Sequence, residues 1–349
     1  MNRFFSFFLY FILLELMCSC TSKKIQDAES FDWSNIPEPI HLKGDSISFD
    51  EILLMPTRIV VIDSFLLTKN RNVERFFHIY NLNTKKKVGE RIPFGMGPKE
   101  MLDPVWLFMP KGDLAVFDRN KRKMDIYPKN LMLTCDTVSP IKQFTFNYQL
   151  MNPVVLPEVG LLSSNLQVED KKFIAVDFEG NKLCNFGEYP NEYKDKTLYE
   201  KSVTFMGDMA VKPDGSRWVM THKTTDILEI YDNKLNLLKR LQGPDQTIPD
   251  LIEENGRIRR QGRASKEAYF FPFATNECFY VLYDGREYDT ESPTRYLRDT
   301  LFAFDWEGNP IKCYQLSEPI LHFSIDIKQQ ILYGVSDYPE FHIVAFPMQ

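Results

Sequence analysis

The amino-acid sequence predicts an all-β fold, a six-bladed β-propeller built from four-stranded antiparallel blades. Three observations lead to this prediction. A short strand motif recurs six times along the chain, apolar strands flank each copy at regular distances, and the last copy lacks the strand that should follow it. Repeats of this length with four strands each are typical of propeller blades.

The recurring motif is a strand that ends in an apolar or aromatic residue followed by a polar turn. Successive copies are spaced by 42 to 73 residues, and the longest spacing separates the fourth and fifth copies. We use the apolar residue as the anchor of each unit. The six anchors are Tyr80, Tyr127, Val176, Tyr231, Phe304 and Phe346.

Further strands are predicted on both sides of the anchors. Those upstream are residues 59–67, 113–117, 160–163, 217–221, 278–283 and 330–335. Those downstream are residues 87–93, 139–146, 182–186, 237–241 and 310–316. An opening strand, such as residues 205–211 or 321–326, completes four strands per unit.

The sixth unit ends near the C-terminus and has no downstream strand of its own. Residues 46–54 alternate apolar and polar side chains and therefore form the best candidate for its outer strand. Pairing of this segment with the last blade closes the ring and removes a free sheet edge. We therefore place the propeller domain at residues 46–349.

The N-terminus has the pattern of an export signal. Residues 4–14 contain ten apolar or aromatic residues in eleven, too few to span a bilayer. Cys20 follows the small residue Ser19, which resembles the acylation site of bacterial lipoproteins, whereas Cys18 follows Met17. We expect a signal peptide at residues 1–19 and a lipidated tether at residues 20–45. The alternative is an ordinary signal peptide that leaves Cys20 as a plain thiol.

The composition excludes some classes of partner. Lys and Arg total 42 and Asp and Glu total 48, which gives a formal net charge of −6, so nucleic acid is not an expected partner. The cysteines after the tether are far apart in sequence and form no metal-binding knuckle. Because equivalent positions of different blades diverge at the rim, we expect Cys135, Cys184, Cys278 and Cys313 to remain reduced.

The C-terminal third resembles a known family. Residues 280–286, 304–311, 324–326 and 332–334, with the Gly-x-Gly-Pro-x-Glu element at residues 95–100, are similar to the TolB-like six-bladed β-propeller lipoproteins of Bacteroidetes. The resemblance implies an envelope lipoprotein, and we expect the outer membrane, with the periplasmic face favoured over the cell surface. It carries over no catalytic residues.

Loops on one face of the ring form the candidate ligand-binding surface. Two segments share a Phe-Gly-x-x-Pro-x-Glu pattern, residues 94–100 and 186–192, and each should cross from an outer strand to the next blade. Two arginine-rich insertions, residues 242–266 and 284–300, belong on the same face. Arginine with aromatic residues suits carboxylate, phosphate or glycan recognition. The alternative is that these arginines pair with neighbouring acids. The candidate residues are Gly95, Gly97, Arg259, Arg260, Tyr283, Asp284, Arg286 and Tyr296.

No other motif indicates catalysis. The acidic turns 177–181 and 305–309 are interpreted as hairpins rather than calcium loops, and the five histidines have no ligand spacing. The sequence therefore indicates no cofactor and no bound metal. We expect a non-catalytic envelope lipoprotein that binds a ligand or protein partner. The alternatives are a metal-dependent hydrolase or lyase with its site in the central channel, or a purely structural role.

Overall fold

The computed structural model describes residues 24–109, 112–165, 170–254, 257–260, 265–287, 289 and 291–348. These residues form six antiparallel blades arranged around a central channel. The propeller prediction is therefore confirmed. Each predicted anchor lies in the third strand of its blade, and all six anchor side chains are buried.

Three short strands precede the first blade. In blades 1 to 5 the four strands follow one another in chain order, from the innermost strand at the channel toward the rim. The first three are β1 (Glu29–Ser30), β2 (Ile40–Leu42) and β3 (Asp45–Ile47). Blade 1 contains β4 (Pro56–Ile62), β5 (Phe65–Asn70), β6 (Arg75–Asn81) and β7 (Lys86–Pro93). Blade 2 contains β8 (Pro104–Phe108), β9 (Leu114–Asp118), β10 (Lys123–Tyr127) and β11 (Lys142–Thr145). Blade 3 contains β12 (Met151–Leu156), β13 (Gly160–Ser164), β14 (Phe173–Val176) and β15 (Lys182–Phe186).

The second half of the ring follows the same order, with one extra hairpin. Blade 4 contains β16 (Gly207–Val211), β17 (Arg217–His222), β18 (Ile227–Asp232) and β19 (Leu237–Gln242). The hairpin β20 (Leu251–Glu254) and β21 (Arg257–Arg260) precedes blade 5, which contains β22 (Tyr269–Ala274), β23 (Cys278–Tyr283), β24 (Arg298–Asp305) and β25 (Pro310–Ile320). Blade 6 contains β26 (His322–Asp326), β27 (Ile331–Ser336) and β28 (His342–Pro347). Two short helices, α1 (Lys129–Thr134) and α2 (Leu198–Thr204), lie in connecting segments.

The ring closes as predicted, through a strand from the N-terminal side of the domain. β3 pairs antiparallel with β28 and supplies the missing outer strand of blade 6, with Ile47 opposite Ile343. The strand covers Asp45–Ile47 and so overlaps the predicted segment 46–54 only at its first two residues. The two ends of the propeller are thereby held in one sheet.

The segment expected to be a tether forms part of the folded domain over its described residues. β1 pairs parallel with β19 at the edge of blade 4, and β2 pairs parallel with β25 at the edge of blade 5. Ile25, Phe31 and Leu42 are buried. Residues 24–45 are therefore a strap on the rim of the propeller, because these spaced apolar side chains bury against blades 4 and 5.

The core consists of apolar layers between neighbouring blades. The aromatic layer between blades 3 and 4 is an example, with Trp218 stacked on Tyr231 at 4.1 Å between ring centroids and Phe173 edge-on to both. The four cysteines of the described chain are free thiols. Within the described residues, no helix is long and apolar enough to cross a lipid bilayer.

Candidate functional site: the central channel

The two faces of the ring differ in the connections they carry. Because strands alternate in direction within a blade, the first and third strands begin on one face, where the second and fourth strands end. We call this the crossing face, since it carries the segments that cross from an outer strand to the next blade. The described residues of both arginine-rich insertions lie on it, and the backbones of Lys266 in one and Glu287 in the other form an isolated β-bridge. Their predicted placement on one face is thus confirmed.

The innermost strands of all six blades line a channel of about 600 Å³. Most of its wall is apolar, with Val105, Val154 and Phe273 as examples. The polar side chains lie mainly toward the crossing face, at or near the first residues of the inner strands. Those near the crossing face are Arg58, Asn152, Asp208 and His322, whereas Ser324 lies within β26 and Lys212 follows β16 at the opposite face.

Asp208 is held in an ion pair at this end of the channel. Its Oδ2 lies 2.9 Å from Nζ of Lys223, which directly follows β17, and its Oδ1 accepts a hydrogen bond of 3.0 Å from Nδ2 of Asn152. Burial alone would raise the pKa of Asp208, but the charges of Lys223 and Arg58 outweigh burial and lower that pKa below its usual value. The carboxylate therefore stays ionised, and it is paired with Lys223 and Asn152.

Arg58 is the second cation at this end of the channel, and it forms no such ion pair with a described residue. Its guanidinium carbon lies 5.7 Å from the ring centroid of Phe271, an arrangement typical of a cation–π contact. Among the described residues, the guanidinium makes no hydrogen bond and no ion pair at contact distance. The side chain is only partly buried, so it offers five N–H donors to the channel.

His322 lies beside Arg58 and is neutral. Its Nδ1 accepts a long hydrogen bond of 3.4 Å from the backbone N–H of Ile59, and its ring lies 4.6 Å from the Phe271 ring. Burial, followed by the positive charge of Arg58, lowers the pKa of His322 to about 3. With Nδ1 as acceptor, the neutral ring carries its proton on Nε2.

Two inner strands are distorted at the polar end of the channel. Asn152 and Phe271 have left-handed backbone angles, φ 44° and 54°, and each precedes a proline at a break in strand register. A bulky residue such as Phe271 rarely adopts this conformation, and such strain collects at binding sites. The bulges hold the Asn152 amide and the Phe271 ring at the channel end.

A profile of the family described as TolB-like 6-blade propeller-like matches residues 38–328 of this chain. The chain belongs to the TolB-like six-bladed propeller family. The family resemblance seen in the sequence is thereby confirmed.

Solved structures extend the likeness in fold. A protein of Bacteroides fragilis NCTC 9343 described as exported aligns with a TM-score of 0.56 at 12% identity, covering 91% of this chain and 98% of its own. A member of the DUF4221 family from Bacteroides vulgatus ATCC 8482 aligns with a TM-score of 0.57 at 9% identity, covering 89% and 98%. No curated protein matches this TolB-like chain.

The glycine loop of the TolB-like propeller is built around one of its own side chains. The backbone N–H of Gly97 donates to Oε2 of Glu100 at 2.8 Å, and a side chain on Gly95, whose φ is 149°, would overlap that carboxylate. Nζ of Lys121 donates to the carbonyls of Met96, Gly97 and Glu100 at 2.7 to 3.1 Å. Gly95 and Gly97 therefore shape the crossing segment between blades 1 and 2.

The other predicted residues spread over blades 4 and 5 of the crossing face. Tyr283 is buried, and its hydroxyl donates to Oδ2 of Asp245 at 2.9 Å. Arg286 pairs with Asp284 at 2.7 Å, and exposed Arg259 pairs with Glu254 at 3.1 Å.

Two further predicted residues complete that set. Tyr296 is exposed, with the Arg295 guanidinium carbon 4.6 Å from its ring centroid. The side chain of Arg260 lies outside the described residues, as does Cys20. The structure thus brings Tyr283, Asp284 and Arg286 into one region, while Arg259 projects from the β20–β21 hairpin.

The acidic turns are hairpins stabilised by their first residue. Asp177 Oδ1 accepts from the backbone N–H groups of Glu179 and Asn181 at 3.0 and 2.7 Å, and Asp305 makes the equivalent bonds at 3.0 and 2.8 Å. Over the part of the chain that the structure describes, no three His, Cys, Asp or Glu side chains are grouped as metal ligands.

Sequence reasoning missed Arg58, Asp208 and Lys223, which come from two distant blades. One signal was present in the sequence. Arg58 and Asp208 are lone charges inside apolar inner strands, 56–62 and 207–211. A charge in such a strand either has a buried partner or faces the channel.

Proposed function

We propose that this protein is an exported lipoprotein of the outer membrane, on the periplasmic side, that binds a ligand in its central channel without changing it chemically. The observation that carries the proposal is the Arg58 guanidinium, which lines a channel of about 600 Å³ and has no anionic partner at contact distance among the described residues. The ligand has an anionic group, a carboxylate or phosphate, for which the forked donors of arginine are suited.

The state of the neighbouring groups favours binding over catalysis. A general acid or base works best when its pKa is close to the operating pH. His322 has a pKa of about 3 and stays neutral, and Asp208 is ionised and paired with Lys223. These groups position a ligand without reacting with it. The neutral imidazole of His322 offers a further hydrogen-bond donor, and the apolar channel wall surrounds the part of the ligand that carries no charge.

Export and anchoring rest on separate support. The sequence has an apolar N-terminal run followed by Ser19 and Cys20. The Bacteroides fragilis protein with the same fold is described as exported. A propeller held at the envelope by an acylated Cys20 would sample ligands that pass through the periplasm.

Ligand binding is tested with a panel of carboxylates, phosphates and sulfonates in a thermal-shift screen, followed by calorimetry on the hits. Ligand at 100 times its Kd stabilises the fold by about 2.7 kcal/mol. We expect Arg58→Met to abolish that stabilisation and Arg259→Met, the matched control on the exposed hairpin, to retain it. Undiminished binding by Arg58→Met would show that the ligand does not bind at Arg58 in the channel.

The crossing-face residues are tested in the same assay. Joint replacement of Arg259, Arg260 and Arg286 should leave binding to the channel unchanged. Loss of binding in this triple variant, with Arg58→Met still active, would place the ligand on the arginine-rich loops.

The anchor is tested by changing each candidate cysteine. Cys20→Ala should abolish incorporation of a labelled fatty acid and release the protein from membranes, whereas Cys18→Ala should alter neither. Density-gradient separation of the two membranes and protease treatment of intact cells then report the membrane and the side. Retention of label by Cys20→Ala would contradict the acylation.

A further inference from the structure

The described chain begins on the crossing face, between blades 3 and 4. Ile25 is buried there against Tyr193, Phe205 and Ile227. Its backbone N–H donates to Oε1 of Gln242 at 2.8 Å, and the next N–H, of Gln26, donates to Oε1 of Glu192 at 2.8 Å. Gln242 is the last residue of β19, and Glu192 lies in the segment that crosses from blade 3 to blade 4. Both are on the crossing face, so these two bonds fix the place where the N-terminal segment meets the propeller.

This entry point limits how far the propeller can stand from an anchor at Cys20. Cys20 precedes Lys24 by four residues. Even a fully extended chain covers only about 14 Å in four residues. If Cys20 is acylated, as proposed above, the crossing face between blades 3 and 4 lies within that distance of the lipid.

The surface beside the entry point carries several exposed apolar side chains, flanked by the exposed charges of Lys194, Asp195 and Lys196. It consists of α2 and the residues after it, where Tyr199 is 45% and Met206 52% exposed, and Leu198 and Val203 are partly exposed. We call these four residues the anchor-side patch. Phe205, whose ring packs on Tyr193 at 4.8 Å between centroids, joins the patch to the Ile25 pocket.

The patch is held rigidly. Thr197 and Glu200 form a reciprocal capping box at the start of α2. Nζ of Lys201 reaches back to Asp170 at 2.7 Å and to the carbonyl of Lys194 at 3.1 Å. These bonds fix the helix that carries Tyr199, and Met206 follows two residues after its end.

We propose that the propeller rests with the crossing face of blades 3 and 4 against the bilayer that holds its anchor, and that the anchor-side patch inserts at the membrane–water interface. A tyrosine with an adjacent aliphatic or thioether side chain suits this region, because its ring is apolar and its hydroxyl is polar. The short distance to Cys20 selects the bilayer over a protein partner. The Arg58 end of the channel then opens on the membrane side.

The orientation is tested by tryptophan quenching in the full lipidated protein. The parent carries Trp33→Phe, since Trp33 is exposed on the strap, and is reconstituted in vesicles that contain brominated phosphatidylcholine. Met206→Trp, with Tyr199→Trp as a second reporter, is compared with Ile327→Trp, an exposed apolar position in a turn on the opposite face. Brominated lipid quenches only tryptophans close to the acyl chains.

We expect the fluorescence added at position 206 or 199 to be quenched at least twofold more than that added at position 327. Equal quenching at the three positions, in protein that floats with the vesicles, would overturn the orientation and leave the anchor intact. Protein that fails to float would overturn the acylation of Cys20 and, with it, this inference. Flotation and quenching thus separate the two failures.

Discussion

Nζ of Lys172 lies 2.6 Å from Oε2 of Glu229, and both side chains are almost completely buried between blades 3 and 4. Glu229 also accepts from Nε of Arg240 at 2.7 Å and from the Tyr231 hydroxyl at 3.0 Å. Burial alone would raise the pKa of Glu229, but Lys172 and Arg240 outweigh it and hold that pKa far below its usual range. One buried carboxylate therefore pairs with two buried cations, of which Arg240 also pairs with the partly exposed Asp27 of the strap.

Removal of this carboxylate should be costly. We expect Glu229→Ala to lower the free energy of unfolding by about 3–5 kcal/mol, because Lys172 and Arg240 lose their buried partner. Chemical denaturation measures the change. Glu188→Ala is the matched control, since Glu188 pairs with the neighbouring Lys171 at the surface, and should change stability by less than about 1 kcal/mol. Similar losses in both variants would contradict the role of the buried pair.

Asp226 should make stability fall as pH rises from 4 to 7. Burial, aided by the charge of Asp245, raises the pKa of Asp226 to about 7, against donation by the backbone of Thr247. The native state therefore holds a proton that the unfolded state releases near pH 4, so its contribution to stability is lost toward pH 7.

The matching variant is Asp226→Asn, which keeps an acceptor for the Thr247 N–H. At pH 8 it should be more stable than the parent by on the order of 3 kcal/mol, and its pH slope should be flatter, as measured by denaturation at several pH values. Asp232→Asn, in a turn where the pKa of the aspartate is lowered, should leave the slope between pH 5 and 7 unchanged. An unaltered slope in Asp226→Asn would refute the assignment.

Gly95 should not tolerate a side chain. Gly95→Ala adds a Cβ that overlaps the Glu100 carboxylate at a φ of 149°, and we expect a loss of about 2 kcal/mol in unfolding free energy. Gly112→Ala is the control: its φ is 82°, but no atom lies within 4 Å of the added Cβ. It should cost about 1 kcal/mol through the backbone alone. A larger loss at Gly112 would argue against the loop geometry.

Ring closure should depend on Ile47. Ile47→Asp places a charge opposite Ile343 in the closing strand, and we expect a loss of about 2 kcal/mol together with faster proteolytic cleavage at β3. Ser46→Asp, on the exposed adjacent position, should lose less than about 1 kcal/mol. Equal sensitivity of the two positions would show that β3 does not hold the ring.

The blades could be predicted from sequence because their pattern is local. Most anchors lie close in sequence to the strands that pair with them, and the strands 278–283 and 182–186 were predicted with the bounds observed in β23 and β15. Residues 59–67 were less well predicted, since a turn at Asp63 divides them between β4 and β5.

The channel end and the strap could not be predicted in the same way. Arg58, Asp208 and His322 meet only because the ring closes, and the sequence separations between them carry no periodic signal. Residues 24–45 resembled a tether because their few apolar side chains are widely spaced. Ile25, Phe31 and Leu42 each bury at a different point on the rim, so no helix or strand period links them.

Because blade 6 joins β3 to β28, its sheet contains strands from opposite ends of the chain. A ribosome releases β3 long before β28 exists, so the nascent polypeptide has an outermost strand with nothing to pair with. The circle stays open until β28 is present to pair with β3. The pairing of β28 with β3 is therefore the step that closes the ring, and a chain that lacked β28 would leave β3 without a partner strand.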